Sequence, residues 1–120
     1  MSEIVNLSID EQQNAIKEGV AYVDVRTASE RAEGYVEGSK FFIPLHNEEN
    51  GSKVLREDDW KNDFQNQFPD KEQKIILGCR SGGRSMMAAN MAKSLGYTNI
   101  HNATGGYSGW VDAGKTVVKE

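Results

Sequence analysis

The sequence predicts an α/β fold in which helices flank a parallel β-sheet on both faces. Three observations support this fold class. Short apolar segments alternate with longer helix-forming segments along the chain. Two Ser/Thr-x-x-Glu patterns, which are typical of helix starts, occur in its first third. The 120 residues, of which 38% are hydrophobic and 27% charged, suffice for one globular domain over residues 1–120 and are too few for two.

Five segments predict helices. The first two begin with capping boxes, formed by Ser8 with Glu11 and by Thr27 with Glu30. The third has aromatic residues at every fourth position, an apolar stripe that ends at Pro69. The fourth is rich in alanine and in methionines that we expect to fill the core. The expected helices are residues 9–18, 28–33, a segment through 60–68, 85–95 and a last helix from about residue 107.

Four apolar runs between these helices predict strands, at residues 21–25, 41–45, 74–78 and 99–102. Pro44 places the end of the second run at an edge of the sheet or near the end of its strand. The polar and turn-rich segment 46–56 predicts a surface loop. Ligands of parallel α/β sheets bind beyond the carboxyl ends of the strands. Because Cys79 directly follows the third run, we expect a site there.

The composition excludes several classes of function. Fourteen Lys and Arg against eighteen Asp and Glu give a net charge of -4, which argues against binding nucleic acid or an anionic membrane. No run approaches the roughly 20 apolar residues of a membrane span. The first residues do not resemble a secretory signal, so we expect a cytoplasmic protein, and nothing in the pattern requires more than a monomer. A single cysteine excludes an internal disulfide and a multi-cysteine metal centre.

The segment CRSGGRS, residues 79–85, predicts a tight loop between a strand and a helix. Gly82 and Gly83 allow consecutive backbone N–H groups to point at one spot, where the helix N-terminus adds its partial positive charge. Arg80 and Arg84 add two formal charges on an otherwise acidic chain. Such surroundings stabilise a thiolate. We therefore expect Cys79 to have a lowered pKa and to act as a nucleophile toward an anionic substrate.

Charged residues outside the loop are interpreted as structural support. Asp24, Arg26 and Glu30 are expected to form ion pairs and hydrogen bonds that stabilise the turn after the first predicted strand. Arg84 has two open roles, since it either binds the substrate anion or points inward and braces the loop against Asp24. The two histidines are isolated in the sequence and are interpreted as surface or core residues, not as metal ligands or catalytic bases.

The CRSGGRS loop resembles the active-site loop of rhodanese-type sulfurtransferases. Three further segments resemble family motifs in the same order along the chain. Upstream, YVDVR at 22–26 and FFIPL at 41–45 are similar to the Asp-x-Arg and Asn-Ile-Pro patterns, although Tyr35 stands where the family often has histidine. Downstream, GGYSGW at 105–110 is similar to the closing Gly-Gly-x-x-x-Trp signature. The resemblance implies a single rhodanese domain with a five-stranded parallel sheet.

The resemblance also implies a function, namely sulfur transfer through a persulfide on Cys79. The thiolate attacks the outer sulfur of a small anionic donor such as thiosulfate, and a thiol or cyanide acceptor then removes it, with no cofactor and no metal. Arg80 is the expected dock for the anionic group of the donor. The other residues expected to bind substrate lie in the same loop: Ser81, Gly82, Gly83, Arg84 and Ser85.

Two alternative functions remain open on the sequence. A cysteine-dependent phosphatase or arsenate reductase holds its oxyanion with the fork of an arginine in a Cys-x5-Arg loop, whereas the spacing from Cys79 to Arg84 is Cys-x4-Arg. A binding or regulatory module can use the same fold without catalysis. This chain, however, keeps the cysteine, the glycines and the arginine on which the catalysis depends.

Overall fold

The computed structural model describes residues 3–119. Its strands are β1 (Val5–Leu7), β2 (Ala21–Asp24), β3 (Tyr35–Val36), β4 (Phe41–Phe42), β5 (His46–Glu49), β6 (Ser52–Leu55), β7 (Ile75–Gly78), β8 (Ile100–Ala103) and β9 (Val117–Val118). Its helices are α1 (Ile9–Lys17), α2 (Ala28–Glu33), α3 (Glu57–Gln67), α4 (Gly83–Ser94) and α5 (Gly106–Asp112).

Five strands form the central sheet in the order β1-β8-β7-β2-β4. Every neighbouring pair in it is parallel, so the carboxyl ends of all five strands meet at one edge. The predicted α/β class with a five-stranded parallel sheet is confirmed. β4 lies at the edge of the sheet and ends before Pro44, since only Phe41 and Phe42 of the predicted run 41–45 are assigned to the strand.

Alternate residues of the central strands point to opposite faces of the sheet. Both faces carry apolar side chains, and helices pack on each of them. Val23 and Leu77 pack in one core cluster with the aromatic stripe of α3 and with the alanines of α4. Tyr22 and Ile76, one position earlier on each strand, pack in a second cluster with residues of α1 and α5. Trp60 of α3 is completely buried, which confirms the core role of the stripe.

The helix starts follow the local sequence closely. Both capping boxes form, with Ser8 and Glu11 at α1 and with Thr27 and Glu30 at α2. The fourth helix begins at Gly83, two residues before the predicted start. Its buried face consists of small residues, and Met87 is 45% exposed, so the expectation that the methionines fill the core is wrong at this position.

The segment 46–56 is a β-hairpin rather than the expected loop. β5 and β6 pair in antiparallel fashion and leave a two-residue turn at Asn50 and Gly51. Both turn residues have positive φ, of 51° and 80°, which is the conformation that Asn-Gly favours in a two-residue hairpin. The polar composition concealed the strands because both of them are exposed along almost their whole length.

Three further short strands, β1, β3 and β9, were not expected from the sequence. β1 joins the edge of the main sheet beside β8, and β3 pairs with β9 in antiparallel fashion. None of the helices within residues 3–119 has the length and apolar character that crossing a bilayer requires.

Candidate active site

Cys79 lies where the carboxyl end of β7 meets the start of α4. The strand ends at Gly78, and a short loop leads to Gly82, which caps α4 with a left-handed φ of 113°. This conformation strains any residue with a Cβ, so glycine is required for the turn. The loop thereby turns back over the cysteine, and its backbone N–H groups point inward.

The Cys79 side chain is enclosed by hydrogen-bond donors. The residue is 1% exposed, and its Sγ accepts a hydrogen bond from the Gly82 backbone N–H at 3.0 Å. Burial raises the pKa of the Cys79 thiol, but hydrogen bonds lower it by more, so that this pKa lies below its ordinary value. The groups that lower this pKa by hydrogen bonding to the thiolate form are the Ser85 hydroxyl and the backbone N–H groups of Ser81, Gly82 and Ser85. The structure therefore supports the lowered pKa that the sequence predicts for Cys79.

The two arginines of the loop contribute differently from what the sequence predicts. Arg84 forms a two-pronged ion pair with Glu30, with N–O distances of 2.6 and 2.8 Å. Of the two roles that the sequence leaves open for Arg84, this contact corresponds to the brace, but the partner is Glu30 and not Asp24. Arg80 is exposed, and within residues 3–119 no hydrogen bond or ion pair holds its guanidinium. The hydrogen bonds that stabilise the thiolate come from the loop itself, not from arginine.

The predicted support group is divided between two pairs. Arg26 donates from Nε and Nη2 to the Asp24 carboxylate at 2.9 to 3.2 Å and also to the Gly34 carbonyl. Arg31 reaches the same carboxylate at 3.3 Å from α2. Glu30 takes no part in this buried group, because it binds Arg84 instead. Sequence patterns did not reveal Arg31, since its role depends on how α2 packs over the end of β2.

The first turn of α5, which begins with Gly105 as N-cap and Gly106 as first residue, holds the other side of the loop. The Tyr107 N–H donates to the Cys79 carbonyl at 2.8 Å, and the Ser108 N–H donates to the Arg80 carbonyl at 2.9 Å. A Cβ at Gly106 would lie 2.4 Å from the Cys79 carbonyl oxygen. Only glycine permits α5 to approach the loop this closely, which explains why the GGYSGW segment accompanies the cysteine loop.

Ser85 and Asn102 lie beneath the sulfur. The thiol of Cys79 donates to Ser85 Oγ at 3.4 Å, and the Ser85 hydroxyl donates to Asn102 Oδ1 at 2.6 Å. The sequence indicated Ser85 but not Asn102, which β8 brings in from a distant part of the chain. Neither histidine hydrogen bonds to Cys79, and within residues 3–119 no group of three His, Cys, Asp or Glu side chains is arranged to hold a metal ion.

The ion pair between Arg84 and Glu30 predicts a pH dependence of stability. The hydrogen bonds from Arg84 are the main reason why the pKa of Glu30 falls from 4.5 to about 2. A lowered pKa in the folded state stabilises the protein above pH 4.5, and this contribution is lost as the pH falls toward 2. We expect Glu30→Gln to unfold in less urea than the wild type at neutral pH, with a difference that shrinks across this interval.

Glu33→Gln is the matched control, because Glu33 lies on the same helix with an exposed side chain and makes no contact with Arg84. Urea unfolding of the three proteins at several pH values measures the effect. A gap between wild type and Glu30→Gln that stays constant down to pH 2 would contradict the role assigned to the pair.

A profile of the rhodanese-like domain family matches residues 8–113 of this chain. The chain belongs to that family. Similar proteins from Arabidopsis thaliana include thiosulfate sulfurtransferase 18, 30% identical over 114 residues that cover 92% of this chain and 80% of the relative. The chloroplastic thiosulfate sulfurtransferase 16 is 30% identical over 109 residues, covering 91% of this chain and 88% of the relative. These relationships place the chain in the sulfurtransferase family.

Solved structures agree with the family assignment. A rhodanese-like domain protein from Staphylococcus aureus superimposes with a TM-score of 0.72 at 27% identity, covering 98% of this chain and 99% of that one. The rhodanese-like domain that the resemblance implied is therefore confirmed, and the strand-loop-helix unit around Cys79 lies within it.

Proposed function

We propose that this rhodanese domain is a catalytic sulfurtransferase, of the thiosulfate:cyanide type, that carries sulfur as a persulfide on Cys79. The observation that carries the proposal is the set of backbone N–H donors around Sγ, with the Gly82 N–H at 3.0 Å, beside the Ser85 hydroxyl that hydrogen bonds to the thiolate form. A catalytically silent binding module has no need to stabilise a thiolate. The same donors stabilise the persulfide anion, whose negative sulfur takes the place of the thiolate within the loop.

The reaction proceeds by two displacements at sulfur. The Cys79 thiolate attacks the outer sulfur of thiosulfate, a new S–S bond forms, and the bond to the sulfonyl sulfur breaks to release sulfite. Cyanide or a thiolate then attacks the outer sulfur of the persulfide and leaves with it, as thiocyanate or as a new persulfide. The second step regenerates the Cys79 thiolate, so no external oxidant or reductant is consumed.

Enclosure of the cysteine selects the shape of the donor. Cys79 is 1% exposed, so a donor must present a protruding terminal sulfur rather than a broad reacting centre. Thiosulfate and alkyl persulfides have such a sulfur. The chain has one cysteine, so no second thiol of its own can discharge the persulfide. The acceptor is therefore an external thiol or cyanide.

Arg80 docks the anionic group of the donor, because it follows Cys79 directly in the chain and is exposed, whereas the guanidinium of Arg84 is paired with Glu30. We expect Arg80→Gln to raise KM for thiosulfate about tenfold and to change kcat much less, as for the loss of one charge-assisted hydrogen bond. Lys93→Gln, at the far end of α4, removes the same charge away from the site and serves as the control. Equal KM values for the two variants would contradict this role.

The phosphatase alternative is weakened by the geometry of Arg84. A Cys-x5-Arg loop wraps phosphate with the fork of its arginine, whereas both terminal nitrogens of Arg84 bind Glu30.

The experiment compares thiocyanate formation with hydrolysis of a chromogenic phosphate ester, in wild type and in Cys79→Ser. We expect thiocyanate from the wild type alone and no ester hydrolysis. Cys79-dependent ester hydrolysis would favour the phosphatase, and a folded protein with neither activity would favour the binding module.

A further inference from the structure

A chain of hydrogen bonds leads from Cys79 to the surface of the sheet. The Cys79 thiol donates to Ser85 Oγ at 3.4 Å, and Ser85 Oγ donates to Asn102 Oδ1 at 2.6 Å. Asn102 Nδ2 donates in turn to Asn6 Oδ1 at 3.1 Å. Ser85 and Asn102 are buried, at 0% and 4% exposure, whereas Asn6 is exposed on β1. The two asparagines lie directly opposite each other in the register of β1 and β8.

Although the Gly82 backbone N–H points toward the sulfur, every proton in these three side-chain hydrogen bonds points away from it. That direction suits a neutral thiol, which donates its own proton to Ser85. A thiolate or a persulfide anion only accepts hydrogen bonds, so it requires the Ser85 hydroxyl to turn toward it. The hydroxyl has a single proton, which it can then no longer give to Asn102 Oδ1. Two acceptor oxygens would face each other at 2.6 Å unless Asn102 also changes.

We propose that Asn102 and Asn6 are positioning residues whose carboxamides turn over when Cys79 becomes an anion, so that the whole chain of hydrogen bonds reverses. After reversal, Asn102 Nδ2 donates to Ser85 Oγ, and Ser85 donates to the sulfur. Asn6 Nδ2 donates to Asn102 Oδ1. A carboxamide suits this task because it carries a donor and an acceptor of nearly the same shape at opposite ends of one group. The thiol proton itself passes to solvent.

The inference rests on Cys79 working as a thiolate, as in the proposed function, and assigns to β1 and β8 a part in holding that state. Other polar groups also face the cysteine. The Asp24–Arg26 pair and the phenol of Tyr22 come from the end of β2 and from β2 itself, and Tyr107 comes from α5. The Arg84–Glu30 pair joins α4 to α2 across the loop. The substitutions chosen below leave all of these groups in place.

Asn102→Asp provides the main test, because a carboxylate has the size of the carboxamide but only accepts. It holds the Ser85 hydroxyl toward residue 102 and away from the sulfur. We expect alkylation of Cys79 by iodoacetamide at neutral pH to slow about tenfold, with the midpoint of its pH profile moved up by about one unit. The midpoint of the pH titration of the thiolate absorbance must move up by the same amount. With one cysteine in the chain, both signals report Cys79 alone.

Asn66→Asp on α3 is the control for added charge, since Asn66 is exposed and lies outside the site. Asn6→Asp is the second variant, and its exposed position preserves the fold if Asn102→Asp unfolds. We expect Asn6→Asp to slow alkylation about threefold. A carboxylate at position 6 only accepts, so Asn102 Nδ2 keeps donating to it, which is the arrangement found with the neutral thiol. High salt screens an effect of charge at an exposed site but leaves a hydrogen-bond effect in place.

The inference is supported if the midpoint of the alkylation pH profile moves up in both site variants, if this shift persists in high salt, and if Asn66→Asp does not show it. Equal pH profiles for the site variants and the control would overturn it, as would a shift in Asn6→Asp that disappears in high salt. Alkylation needs no sulfur donor. A failure of this inference is therefore distinguishable from a failure of the proposed sulfur transfer, which would leave the alkylation profiles intact and abolish only thiocyanate formation.

Discussion

Asp24→Asn is expected to lower the free energy of unfolding by about 3–5 kcal/mol, because it removes the charge that balances buried guanidinium groups. The side chains of Asp24 and Arg26 are each 4% exposed, and that of Arg31 is 18% exposed. Asparagine keeps the shape of the side chain but leaves two arginines without a carboxylate in a largely dry site. Urea unfolding at neutral pH measures the loss.

Asp63→Asn is the matched control for this substitution. Asp63 pairs with Arg56 at 2.7 Å, but its side chain is 52% exposed. An exposed ion pair of this kind contributes only about 0–1 kcal/mol. If both variants lost the same stability, the Asp24 group would not have the structural role that its burial indicates.

Gly106→Ala is the second substitution with a large expected effect. The added Cβ would lie 2.4 Å from the Cys79 carbonyl oxygen and 2.8 Å from the backbone of Arg80, and φ at this position is +54°. The start of α5 must then move away and lose its hydrogen bonds to the loop. We expect a loss of about 3 kcal/mol or more in unfolding free energy. Sulfur transfer should fall as well, because the loop loses its support.

Gly114→Ala separates the effect of crowding from that of backbone conformation. Gly114 also has positive φ, of +75°, but a Cβ there would meet no atom within 4 Å. Only the conformational cost applies, about 1–2 kcal/mol. The prediction for Gly106 fails if the two alanine variants unfold at the same urea concentration.

The sequence predicted well those features that depend on neighbouring residues. Both capping boxes form, because each needs only a side chain and a backbone group three residues apart. The cysteine loop also depends on nearby residues, since the donors around Cys79 all lie within the six residues that follow it. The sequence therefore predicts the lowered pKa of Cys79. It also predicts that the loop arginines contribute to this shift, whereas hydrogen bonds from the loop account for it.

Features that depend on distant pairing were missed. The partner of Arg84 is Glu30, 54 residues away, and only the packing of α2 against the loop selects it over Asp24. Asn102 reaches Ser85 because β8 lies beside β7 in the sheet. β1, β3 and β9 are strands of two or three residues whose identity depends on pairing with a distant segment. No local pattern distinguishes them from loop.

The hairpin of β5 and β6 is a different kind of error, because the signal was present. Asn50-Gly51 is a strong sequence marker for a two-residue hairpin turn. The flanking residues lack the alternation of a half-buried strand, since almost all of them are exposed. The Asn-Gly turn alone indicates the hairpin, whereas the polar composition of the flanking residues indicates a loop.

The intact mass of the protein after incubation with thiosulfate tests the central claim most directly. A persulfide on Cys79 adds one sulfur, about 32 Da. We expect this gain in the wild type, its loss on addition of cyanide, and no gain in Cys79→Ser. The absence of a sulfur adduct with thiosulfate and with alkyl persulfides, or the same adduct in Cys79→Ser, would contradict the assignment of Cys79 as the sulfur carrier.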